Sequence, residues 1–215
     1  MVKKVEVFSF GGCGTNFLRG ILMVKAPKQQ DLLTPQQRNM CIRTRVHQRR
    51  PPVDGYDLVV YVYGDPIKSI DSMLFRKQHR TLNILAKQNL VHESNTVEQN
   101  ADALFKENPN VLQLEEHFDN WTTCSSRPYD IVLVNYDALD HKNYDLLCKA
   151  IQRRGVEINN LAKCRFKPRQ REPRNFMKPH LAALTAAHKD LISKMSERPV
   201  FELKCGNGPP RPSPP

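Results

Sequence analysis

Residues 5–22 read VEVFSFGGCGTNFLRGIL. An apolar run leads into Gly11, Gly12, Cys13 and Gly14, after which Phe17, Leu18, Ile21 and Leu22 recur at the spacing of one helix face. A strand, a glycine loop and a helix in direct succession make a cradle for an anion. The N–H groups at a helix N-terminus converge where the helix dipole favours negative charge. In nucleotide-hydrolysing loops Lys and Ser or Thr follow the last glycine, but here Gly14 is followed by Thr15 and Asn16. The stretch predicts phosphate binding and leaves open which phosphate, and for what chemistry.

The same grammar recurs downstream. The run YDLVVYVYGDP (56–66) is β-branched and aromatic and ends at Gly64-Asp65-Pro66, as a strand buried on both faces would, and IKSIDSMLFRKQH (67–79) after it has helical spacing. Residues 82–120 read as helical pieces broken at Asn108-Pro109. YDIVLVNYDAL (129–139) predicts a further strand, followed by a helix over Tyr144–Arg153 with Leu146, Leu147, Ala150 and Ile151 inward. Trp121 and Phe118 are expected under that strand. A short strand is expected within Met40–Val46, and one amphipathic helix over HLAALTAAHKDLISKM (180–195). Strand and helix alternating in this way predict an α/β fold, a central parallel sheet of about five strands flanked by helices. A single domain over residues 1–204 is expected, with a disordered proline-rich tail over 205–215.

The chain has 215 residues, 40% of them hydrophobic, and a formal charge of +11. That charge favours an anionic partner: nucleotide, sulfated or phosphorylated substrate, nucleic acid or acidic membrane. The six cysteines fall without CxxC or Cys–His spacing, against a zinc site and a disulfide scaffold. No apolar run is long enough to span a bilayer. The N-terminus enters its first strand without a signal-peptide cleavage pattern, so a soluble, cytoplasmic protein is expected.

In an open parallel sheet the ligand lies beyond the carboxyl ends of the strands, so the loops from Gly11, Gly64 and Asn135 should share a crevice. Taken in order, these loops resemble the PAPS-dependent sulfotransferases, a P-loop-related family, over roughly Val5 to Arg174. GGCGTNFL is similar to the family's phosphosulfate loop, P-K-S-G-T-T-W-L, with Gly12 in the lysine's place. The family's arginine at a strand end falls on Gly64, and the serine eight positions on is Ser72. FDNWTTCSSRPYDIVLVNYDAL is similar to the segment whose tyrosine lies by the adenine, here Tyr136. The basic loop with Arg169, Arg171, Arg174 and Lys178 stands where the family carries its arginine-lysine-glycine segment.

The resemblance implies transfer of a sulfuryl group from PAPS (3′-phosphoadenosine 5′-phosphosulfate) to a hydroxyl or amine of an acceptor, leaving adenosine 3′,5′-bisphosphate. It assigns the 5′ side to Gly11, Gly12, Cys13, Gly14, Thr15 and Asn16, and the 3′-phosphate to Ser72, Arg169, Arg171 and Arg174. Thr15 would act catalytically, and His47, in CIRTRVHQRR, would take the acceptor's proton. His79 is the reserve base, and Glu93, Glu115 and Glu116 are others. No metal is implied. Substitutes for the missing cations are sought at Arg19, Lys68, Arg76 and the late basic loop. Three alternatives stand beside this reading: a relative that binds the nucleotide without turnover, a nucleic-acid-binding protein using stretches 43–50 and 165–178, and a P-loop kinase. The acceptor itself, for which an anionic compound suits the net charge, is not identified by these motifs.

Overall fold

The computed structural model describes residues 5–14, 17–18, 22, 44–45, 49–124, 127–156, 158 and 172–207. Its sheet contains β1 (Val5–Ser9), β2 (Thr44–Arg45), β3 (Leu58–Tyr63), β4 (Asp130–Asn135) and β5 (Phe201–Lys204), in the order β2-β1-β3-β4-β5. Four of these are strands of four to six residues, and β2 adds a two-residue ladder outside β1. β1, β3 and β4 run parallel, Val7 pairing with Val60 and Val60 with Val132.

The expected all-parallel sheet is corrected at one edge: β5 is antiparallel to β4, with Val134 opposite Phe201. The preceding helix ends at Ser196 and β5 starts at Phe201. Four residues deliver the chain beside the carboxyl end of β4, whereas a parallel strand would have to begin at the opposite end.

The helices are α1 (Pro66–Phe75), α2 (His79–Ala86), α3 (Val97–Phe105), α4 (Leu114–Thr122), α5 (His141–Gln152), α6 (Leu181–Ala187) and α7 (Lys189–Ser196), with a 3-10 turn over Asn175–His180. Each early helix has a local start signal. Asp65 caps α1, accepting the Lys68 N–H at 3.0 Å, and Pro66 sits where no intrahelical donor is needed. Thr96 and Gln99 form a reciprocal capping box on α3. Among the described residues no helix is long and apolar enough to cross a membrane.

All six residues of β3 are buried, so both faces of the sheet are covered. On one face Trp121 stacks on Tyr61 at 4.7 Å between centroids, and Phe118 meets Tyr63 edge-on at 5.0 Å. These α4 rings therefore lie against β3 and Phe8 rather than under β4 as expected. The Tyr61 hydroxyl and His117 Nδ1 share a buried hydrogen bond at 3.0 Å, and burial holds the phenol well above its ordinary pKa. In α5 the buried stripe is Tyr144, Leu147, Cys148 and Ile151. Leu146, expected inward, is 45% exposed because it falls one helical step off that stripe.

The helix expected over residues 180–195 is broken at His188, which ends α6 and starts α7. His188 is 1% exposed, and neither ring nitrogen has a hydrogen-bond partner. Burial lowers its pKa, with the charges of Glu115 and Asp65 opposing.

Two outcomes follow from this core. Tyr61→Phe removes a buried hydroxyl from His117 and should cost about 1–3 kcal/mol, read from the midpoint of urea denaturation. The fold favours the neutral His188 imidazole, so its contribution is present above about pH 6.5, the unfolded value, and is lost as the pH falls below it. Denaturation across pH 7.5 to 5 should show stability falling in the wild type and falling less in His188→Leu.

Candidate functional site

β1 continues to a strand on one side of it, β3 to a strand on the other. The loops leaving β1 and β3 therefore diverge, and a crevice forms outside their carboxyl ends. The glycine loop lies at this point. Gly12 (φ +69°) and Gly14 (φ +78°) occupy left-handed backbone, where a Cβ is disfavoured. Close packing adds to that requirement. A Cβ on Gly12 would stand 2.8 Å from the Ser69 Cα of α1, and one on Gly14 would stand 2.5 Å from the Tyr136 ring. Cys13 turns fully into the core and donates its thiol to the Val62 carbonyl at 3.2 Å. The Gly14 carbonyl accepts from the Phe17 and Leu18 amides at 3.0 and 3.1 Å, so helical turns begin directly at the loop.

The loops after β3 and β4 lock together beside it. The Asp65 N–H donates to Asp137 Oδ2 at 2.6 Å, and the Tyr136 N–H to the Tyr63 carbonyl at 2.8 Å. A Cβ at Gly64 would lie 3.2 Å from the Asp137 carboxyl carbon and 3.6 Å from the Cys13 Cβ. The three loops expected to converge thus touch one another. Ser72 is buried, one turn along α1 from the Ser69 that Gly12 approaches. The described end of the late basic loop also reaches α1. The Arg174 amide donates to Asp71 Oδ1 at 3.0 Å, its guanidinium pairs with the same carboxylate, and it stacks 3.6 Å from the Phe75 ring centre.

Gly11, Gly12, Cys13, Gly14, Ser72 and Tyr136 are therefore gathered at the ends of β1 and β3, and Arg174 is held to the residue next to Ser72. Thr15, Asn16, His47, Arg169 and Arg171 lie outside the described residues, as does Arg19. Two other candidate acids are engaged elsewhere: Glu115 with Lys194 at 2.7 Å and Glu116 with Arg49 at 3.0 Å. His79 is half-buried at the start of α2, and Glu93 and Arg76 are exposed. The close approaches also bear on the missing cations. A lysine at position 12 would drive into the backbone of α1, and an arginine at position 64 into Asp137, so in this packing neither can stand where the resembled family carries it.

Sequence reading passed over Asp65 and Asp137. The Gly-Asp-Pro and Asn-Tyr-Asp strand ends were visible signals, but that the two aspartates meet depends on β3 and β4 being neighbours. They also border a cavity of about 450 Å³ closed by α7 and the chain leading into β5. Comparison with family models, curated proteins and solved structures finds no match to this chain.

Gly12→Ala should destabilise the protein by more than about 1 kcal/mol, since it adds a Cβ both at positive φ and against the α1 backbone. Gly12→Lys should be no better tolerated. Thermal denaturation of both beside the wild type checks this; wild-type stability in Gly12→Lys would mean the loop is more open than described.

Proposed function

We propose that this chain is a sulfotransferase-type protein, binding PAPS and adenosine 3′,5′-bisphosphate at the β1/β3 crevice and directing a sulfuryl group to a hydroxyl or amine acceptor. One observation carries the reading: the glycine loop, the Ser72-bearing α1 and the Tyr136 ring, separated by more than a hundred residues of sequence, are packed together. Loop amides at the start of a helix suit the 5′-phosphate. Ser72, with the basic loop that Arg174 fastens to α1, suits the 3′-phosphate, and Tyr136 suits the base.

His47 is the residue this reading assigns to receive the acceptor's proton. A donor that stabilises charge developing on a leaving oxygen contributes roughly 3–4 kcal/mol in such reactions. Here that donor has to come from outside positions 12 and 64, and Arg169, Arg171 and Lys68 are the assigned sources.

A second reading is favoured by the same geometry. With Gly12 and Gly64 closed to longer side chains and Arg174 neutralised by Asp71, the chain would hold the nucleotide without turning it over. Titration with adenosine 3′,5′-bisphosphate and with AMP tests what the two readings share. The bisphosphate should bind more tightly and raise the melting temperature more, by mass action on the native state; equal shifts would remove the 3′-phosphate site. Transfer from labelled PAPS to a panel of alcohols, phenols, glycans and amines then separates them. Product that disappears in Arg171→Ala supports catalysis; tight binding with no product supports the second reading.

A further inference from the structure

We infer that the cavity between the β3 and β4 loop ends and α7 is a second ligand site, one that takes a small aliphatic amine as its ammonium ion. The cavity of about 450 Å³ is within the range of small-molecule sites, roughly 300–1,000 Å³, and lies where α/β sheets bind ligands. Its make-up is two-sided. Ile192 and Met195 of α7 and Val200 before β5 give it an apolar wall, and Asp65, Asn135 and Asp137 give it a polar floor.

The sign of that floor opposes the rest of the chain. On a protein of formal charge +11, two carboxylates face this cavity. The nearby cation, Arg198, is paired with Glu202 at 2.6 Å. Both carboxylates are fixed in place by main-chain amides, Asp65 through the Lys68 N–H and Asp137 through the Asp65 N–H. A ligand that satisfies such a site carries positive charge at one end and hydrocarbon at the other. A bare metal ion would use only the floor, and among the described residues no three His, Cys, Asp or Glu side chains converge as metal ligands. One turn before Ile192 lies His188, buried with both ring nitrogens unpartnered and within reach of the Asp65 charge. The protein thus leaves polar groups unsatisfied around this end of the fold. The inference does not depend on nucleotide binding.

The test uses the full-length protein with no nucleotide and compares n-hexylamine, n-hexanol and hexanoate by amide chemical-shift titration. The amine should bind about tenfold or more tightly than the alcohol at low ionic strength, shifting the amides of Asp65, Ala138 and Val200, and hexanoate should not bind there. Asp137→Asn keeps an oxygen acceptor for the Asp65 N–H but removes the charge, and should weaken amine binding about tenfold towards the alcohol's level. Ile192→Trp fills the cavity and should remove binding of both. Equal affinity for amine and alcohol, absence of amine binding, or amine binding untouched by both substitutions would overturn the inference. So would shifts confined to other surfaces.

Discussion

The close approach of Gly12 to the backbone of α1 is the constraint from which the arrangement of this end of the sheet follows. With no side chain at position 12, the loop after β1 can lie on the first turns of α1, Cys13 can turn inward to the Val62 carbonyl, and Gly14 can face Tyr136. Any Cβ at position 12 would push the loop from α1 and open the contact between β1 and β3 at their carboxyl ends. The loop after β4 then closes on what is left, Asp137 lying against Gly64 and accepting the Asp65 N–H. A single missing side chain thus sets the distance between three loops.

That economy of space bears on chemistry. Packing that brings the loops together also excludes long cationic side chains from the places where the resembled family uses them. Charge for a bound phosphate has to arrive from loop amides, from the start of a helix or from the basic segment that Arg174 fastens to Asp71. An amide cradle binds anions well in a water-poor crevice, but it does not follow a charge that moves during a reaction as a flexible lysine can. Binding is therefore the better supported half of the proposed function, and turnover is the half that rests on residues away from the packed loops.

The acidic cavity beside these loops has the same structural origin. Asp65 and Asp137 end strands β3 and β4 and are brought together by strand adjacency and a 2.6 Å amide contact. The antiparallel return of β5 brings α7 over them, since only four residues separate that helix from the strand. A crossover to a parallel β5 would have carried α7 elsewhere and left the aspartates in open solvent, where ordinary hydration would satisfy them.

What the sequence alone determined is local and periodic. The runs at 5–9, 58–63 and 129–135 are strands because β-branched and aromatic side chains suit a sheet covered on both faces. Gly11–Gly14, Gly64 and Asp65-Pro66 end those strands because turns and helix starts demand those residues. The convergence of the glycine loop with Ser72 and Tyr136 was legible too, because in a parallel sheet every strand delivers its loop to the same end. The direction of β5, the break at His188, the exposure of Leu146 and the pairing of Arg174 with Asp71 were settled by tertiary contacts. Each depends on which element lies beside which, and an amphipathic pattern states only that a face is buried, not against what. The steric closure at Gly12 and Gly64 belongs with these. A glycine in a sequence permits close approach, but the carbonyl of Ser69 and the carboxylate of Asp137 that fill the space come from 57 and 73 residues further along the chain.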